Sequence, residues 1–367
     1  MSESKDAMSW VTGESDSELR AELEPETPIP VESEIVSETL DFEEEEEKKS
    51  RGFLWFLGML AVLALIGLIV VGWYWSREPE QFDVTAEALT RAGITNPDEL
   101  KRGYIYSNTL AHIAETLLHK PGGYLTNDVS PPSILMDNMA SWEFGALIML
   151  RDATSVLRNH FARSQSQSRE NPDLAKTEPY FYFESNSWAI PSTEGEYQKG
   201  IDSLHRYMKD LNSGNRRRAG FHARADNLSQ YLQVVEKRLG SFSQRLSSSS
   251  GHERKFDVKQ RKNAMVKTPW LEVDNEFYET RGAAWALVQI LKAVEIEFDD
   301  VLRGKNAKTT VRQIIHNLED SLSPSLSPIV LNGSGFGLFA NYSLTMANYI
   351  ARANAGMLDL RDLMMRG

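Results

Sequence analysis

The sequence predicts a mainly α protein: one transmembrane helix, then an α-helical bundle-like extracytoplasmic domain, with a disordered acidic tail in front. Three observations predict it. Phe53 to Trp75 is an unbroken apolar run without a charged side chain. Beyond residue 95 the apolar residues recur at steps of three and four, and no long alternating pattern interrupts them. Before the run, residues 1–50 are crowded with Asp, Glu, Ser and Pro.

The apolar run comes first because it sets the topology. It holds 23 residues. At about 1.5 Å per residue a helix of that length spans about 34 Å, enough for a hydrocarbon core of about 30 Å. Within lipid, a lone segment satisfies its backbone groups only as a helix. A cleaved signal peptide has a shorter apolar region near the N-terminus and small residues at its end. This run starts at residue 53 and ends in Trp73, Tyr74 and Trp75, so an uncleaved anchor over residues 51–77 is expected. Lys48, Lys49 and Arg51 precede it and Arg77 alone follows closely, which places the N-terminus in the cytoplasm. Trp55 and the Trp73–Trp75 cluster read as interfacial belts against the bilayer. Gly58, Ala61, Ala64 and Gly67 recur at steps of three, which drift around a helix and fit a lipid-facing surface better than a helix–helix seam.

Charge divides the chain at the same place. Residues 1–50 hold 17 acidic and 4 basic side chains, a net of −13, so the other 317 residues carry +1 of the chain's −12. A tail of that composition buries too little apolar surface to offset its chain entropy and is expected to be disordered. The near-neutral remainder argues against nucleic-acid binding, which needs a concentrated positive field. Two basic knots, Arg216–Arg218 and Lys255, Lys259, Arg261 and Lys262, sit in turn-like surroundings and read as solvated loops. The chain has no cysteine, so the domain from 82 to 367 must stand on its apolar core.

The helices follow in order. Asn96 with Pro97 starts one whose stripe is Tyr106, Leu110, Ile113 and Leu117, and Lys120-Pro121-Gly122-Gly123 ends it. The next runs from about Asn138 to Ser166 and buries Leu147, Leu150, Leu157 and Phe161. Pro179 to Pro191 reads as extended. Thr193 and Glu196 form a capping box before Tyr197, Ile201, Leu204, Met208 and Leu211. From Ala219 to Leu246 the spacing is most regular: Phe221, Ala225, Leu228, Leu232, Val235, Leu239, Phe242 and Leu246. A heptad of that kind serves a coiled coil between two chains or a long helix within one bundle. With Gly240 inside it the bundle is expected, and a homo-oligomer through residues 219–246 is the alternative. Helices near Glu276–Leu302, with Leu287, Leu291, Val294, Phe298 and Val301 inward, and near Lys308–Leu322 come next. Ser343 caps the last, with Met346, Ile350, Ala353, Met357, Leu360 and Met364 on one face.

Catalytic residues are not identified. His112, Glu115 and His119 are candidate metal ligands, because on a helix they lie within about 60° of one another. They also point away from the apolar stripe, so a solvated polar face is expected and no metal or cofactor. The glycine-rich Asn332–Gly337 precedes a helix but lacks the Lys and Ser/Thr of a phosphate loop. Glu143 beside Trp142, with Asp137, carries the only hint of acidic sugar chemistry, which needs a second carboxylate at a defined separation.

Several segments resemble one proteobacterial family. They are HKPGGYLTND at His119–Asp128, DNMASWEFG at Asp137–Gly145, RSQSQS at Arg163–Ser168 and SWAIPSTEGEY at Ser187–Tyr197. FYETRGAAWAL at Phe277–Leu287 and LNGSGFG with ANYSLTMANYIARANA within Leu331–Ala355 belong with them. The family is an uncharacterised inner-membrane domain of unknown function. The resemblance implies an inner-membrane protein with a periplasmic helical domain, and it supplies no activity, cofactor or site residue. The expected role is therefore non-catalytic: interaction with, or scaffolding of, protein partners in the envelope. The alternative is an envelope hydrolase acting on peptidoglycan or peptide.

Overall fold

The computed structural model describes residues 32–164, 170–214, 218–248, 273–323, 330 and 342–366, with side chains from Arg51 onward except those of Ser248 and Tyr342. Among them are eleven α-helices and no strand. The first, α1, runs Glu32–Trp75. Its part from Arg51 to Trp75 is the one described helix long and apolar enough to cross a membrane. The side chains from Phe53 to Val71 stay exposed, as lipid-facing residues would. The helix starts well before the apolar run. The sequence places residues 32–50 in the disordered tail, yet their backbone is helical. Glu and Lys are good helix formers, and extending an existing helix avoids the cost of a new nucleus. Residues 1–31 lie outside the described residues.

The later helices are α2 (Val84–Ala92), α3 (Tyr104–His119), α4 (Asp137–Val156), α5 (Leu174–Phe181) and α6 (Thr193–Asn212). Then come α7 (Ala225–Ser248), α8 (Val273–Glu297), α9 (Asp299–Gly304), α10 (Lys308–Ser321) and α11 (Tyr342–Met365). Four differ from the sequence expectation. Helix α2 was not anticipated, although Asp83 caps it by accepting from Thr85 and Ala86 and Gly93 ends it at φ 65°. Asn96 and Pro97 start only a short turn, and α3 begins after Gly103. At φ 92°, with Phe221 against its Cα, Gly103 occupies a place no side chain fits. The segment read as extended from Pro179 begins inside a helix instead. Burial of Leu174, Thr177 and Phe181 holds α5 together despite Pro179 within it. The cap of α6 is Ser192, whose Oγ accepts from the Gly195 amide, while Thr193 is buried and donates to the Glu184 carbonyl.

At the centre lies α8. Ala283 to Leu291 contains no charged residue and is buried on every side, the mark of a core helix. It packs most extensively on α4, also on α10 and α3, and Gly145 and Gly282 bring α4 and α8 together. Trp142 and Trp285 meet beside this crossing, ring centres 5.1 Å apart. The regular stripe on α7 is covered by α11 of the same chain. Leu228, Leu232, Val235, Leu239, Phe242 and Leu246 are all buried within one copy, so this face offers a second copy no apolar surface to cover. Tyr106, Phe161, Phe221 and Phe298 form an aromatic cluster where α3, α4 and α8 end or begin.

The segment after α1 is fastened to α8. Glu78 takes two hydrogen bonds from Arg281, at 2.7 and 2.8 Å. Trp285 Nε1 donates to the Glu80 carbonyl, and Lys292 Nζ to Gln81 Oε1. Trp75 and Phe82 pack on the core at the two ends of this strap.

Candidate functional site

Glu143 sits on α4 with its side chain fully buried. Lys120 Nζ, 1% exposed, lies 2.6 Å from its Oε1 and also donates to the Gly123 carbonyl at 2.7 Å. The Leu125 and Thr126 amides and the Thr126 hydroxyl donate to the same carboxylate. Burial pushes the Glu143 carboxyl up, while the Lys120 charge and these donors pull it back. The group is shut off from solvent, whereas Asp137 is exposed. Its geometry fastens the loop 120–126 onto α4. Sequence reasoning missed Lys120, which looks like an ordinary helix-ending lysine.

Glu115 on α3 is not solvated as the helical wheel suggests. Both Nη atoms of Arg91, from α2, bind its two oxygens, and His205 Nε2, from α6, lies 3.2 Å from Oε1. Arg91 Nε donates to Asn108 Oδ1 at 2.6 Å. Burial raises the Glu115 carboxyl, but hydrogen bonds from His205 and Arg91 outweigh it and hold the group at about 2. His205 Nε2 also lies 3.0 Å from Arg91 Nη1. One nitrogen cannot serve both: bare, it accepts from Arg91, and bearing a hydrogen, it donates to Glu115. His112 is half-buried on the Phe82 ring, centres 4.1 Å apart, and burial lowers its pKa against the pull of Glu87 and Glu115. His119 turns away and its Nδ1 meets the Glu115 carbonyl. The three candidate ligands thus have separate partners, and among the described residues no group of three or more His, Asp or Glu is placed to hold a metal ion. Arg91 and His205 carried no sequence signal, since both lie on other helices than α3, α2 just before it and α6 far along the chain.

Beside this cluster an open recess of about 440 Å³ is lined by Arg91, Tyr104, His205, Met208 and Lys209. A second, of about 730 Å³, lies against the strap, between Phe82, Asp83, Lys292, Asp299, Lys308 and Arg312. Its charges are already matched: Arg312 to Glu295, Lys308 to Asp299 and Lys292 to Glu319. Another buried carboxylate, Glu297, ends α8 at the start of α3 and accepts the Gly103, Ile105 and Tyr106 amides. Burial lifts it to about 7, against the pull of those amides.

The glycine-rich loop 332–337 and the knot at Lys255, Lys259, Arg261 and Lys262 lie outside the described residues, as do Arg216 and Arg217. Arg218 pairs with Asp210. No curated protein and no solved structure matches this chain. A family model described as an uncharacterized protein conserved in bacteria matches residues 48–367. That match takes in the apolar helix as well as the helical domain and leaves out most of the acidic tail. Covering more than half of the chain, it makes this protein a member of that bacterial family, DUF2333.

Proposed function

We propose that this is a single-pass protein of the bacterial inner membrane, N-terminus in the cytoplasm, whose periplasmic helical domain binds protein partners of the envelope without catalysis of its own. The carrying observation is how the carboxylates are used. Glu143 and Glu115, two of the acids that sequence singled out, are committed to Lys120 and to Arg91 with His205. Glu143 is fully buried and Glu115 has both oxygens bound by Arg91, so neither carboxylate is free as a hydrolytic acid or base requires. The three basic residues before the apolar run against one just after it support the orientation.

Two measurements test it. A reporter fused after Gly367 is expected to be active only in the periplasm, and signal from a cytoplasm-only reporter overturns the orientation. Photo-crosslinkers at exposed positions of the domain in living cells are expected to trap discrete protein species from one face. Turnover of peptidoglycan or peptide by the purified full chain, abolished by Glu143→Gln in a folded protein, would replace the binding role with hydrolysis.

A further inference from the structure

Outside α1, the five most exposed large apolar side chains described are Ile190, Leu135, Trp188, Ile134 and Val129. They are not scattered. All five stand on two loops, 126–135 and 184–192. Asn127 joins these loops, its Nδ2 donating to the Ser187 carbonyl and to Glu194 Oε2, both at 2.9 Å. Leu135 is 80% exposed and Ile190 wholly so. Clusters of this kind mark contact surfaces, whereas single exposed apolar residues are ordinary.

The place of the first loop says what covers it. A Cβ built on Gly72 would lie 3.5 Å from Pro132 Cβ, and one on Gly122 would lie 2.7 Å from Trp75 Cδ2. Pro132 thus touches the apolar run itself, three residues before its end at Trp75. Three residues of helix are about 4.5 Å, a depth still within the headgroup and upper acyl layer. Trp73 and Trp75 mark that layer on the helix. Lys120 and Glu143 fix the root of the loop, so its apolar tip is presented rather than left to swing.

We infer that the two loops dip into the outer-leaflet interface of the bilayer beside α1, with Ile134, Leu135, Trp188 and Ile190 in contact with lipid. This rests on the anchor reading proposed above. The domain then meets the membrane at a second place, and its orientation to the bilayer is set. No Lys or Arg stands between Lys120 and Arg151, so the contact is apolar and persists at high salt.

The absence of cysteine makes the test direct. Full-length chains carrying Leu135→Cys, Ile190→Cys, Leu63→Cys in the span or Lys237→Cys on α7 are labelled with an environment-sensitive fluorophore. They are reconstituted in phosphatidylethanolamine–phosphatidylglycerol vesicles with or without nitroxide-bearing lipid. At Leu135 and Ile190, strong quenching by the nitroxide lipid is expected, with iodide quenching several-fold below that at Lys237. Iodide access at either position equal to that at Lys237 overturns the inference. Shielding from iodide without lipid quenching also overturns it, and assigns the loops to a second copy or another protein. With Leu63 quenched, such a failure belongs to the loops alone. An unquenched Leu63 overturns the anchor reading and this inference with it.

Discussion

Gly145 on α4 and Gly282 on α8 meet backbone to backbone. A Cβ on Gly145 would stand 1.8 Å from the Glu279 carbonyl oxygen, and one on Gly282 would stand 1.9 Å from that of Trp142. The most extensively packed pair of helices is therefore joined at a crossing with no room for one methyl group. The side chains around it, Trp142 and Trp285, are set by that spacing.

Gly282→Ala is accordingly expected to force the helices apart. Overpacking of this sort costs about 1–3 kcal/mol or more. Gly240→Ala is the contrast, because its Cβ would meet Asn354 Nδ2 at 3.6 Å, an ordinary contact. Relief of a helical glycine there gains up to about 1 kcal/mol. Thermal melts followed by circular dichroism should move in opposite directions, and equal melts would show that the crossing tolerates a methyl.

Leu232 is fully buried on the α7 stripe. Leu232→Asp places an unpaired charge there, at a cost of several kcal/mol. Loss of helical circular dichroism and of expression is the expected outcome. A folded monomer obtained from a wild-type dimer would instead make this helix an assembly interface.

Lys120 and Glu143 should behave as a pair. Lys120→Met leaves the buried carboxylate without its cation and costs roughly 3–5 kcal/mol. Adding Glu143→Leu removes the stranded charge and recovers part of that loss. Denaturant midpoints of the four variants measure the coupling, and simple additivity would rule the pair out as a unit.

Two carboxylates give stability opposite slopes with pH. Glu297, lifted from 4.5 to about 7, keeps a proton in the folded chain that the unfolded chain has lost. Its contribution is full below 4.5 and fades as the pH rises through 7. Glu115, held at about 2, contributes fully above 4.5 and loses that contribution as the pH falls toward 2. Melts across this range are expected to lose the neutral-side decline in Glu297→Gln and the acid-side decline in Glu115→Gln. An unchanged neutral limb in Glu297→Gln would mean that this carboxyl does not titrate there.

Periodicity carried most of what sequence revealed about the fold. Tyr106, Leu110, Ile113 and Leu117 on α3, and Met346 to Met364 on α11, are buried as their spacing requires. Long stripes average over local exceptions, so they survive. Short elements do not: α2 has only nine residues, and its Asp83 and Gly93 signals carry no stripe long enough to notice. At Ser192–Thr193 either hydroxyl can cap, and only the fold decides that Thr193 goes inward. The polar constellations were the least legible part. Arg91 to Glu115, Glu143 to Lys120 and Glu297 to Gly103 each cross between elements, and no spacing along one helix records such a meeting. The His112–Glu115–His119 wheel shows the converse, since Phe82 took His112, Arg91 took Glu115 and His119 turned to a carbonyl of its own helix.

The strap from Glu78 to Gln81 has a mechanical consequence. Arg281, Trp285 and Lys292 grip it over about three turns of α8, so little slack is left between the end of α1 and the centre of the domain. A tug or twist on α1 at Trp75 therefore reaches α8 through the strap, and with it the Gly145–Gly282 crossing. Such a hard-wired joint behaves as a lever arm, not as a leash.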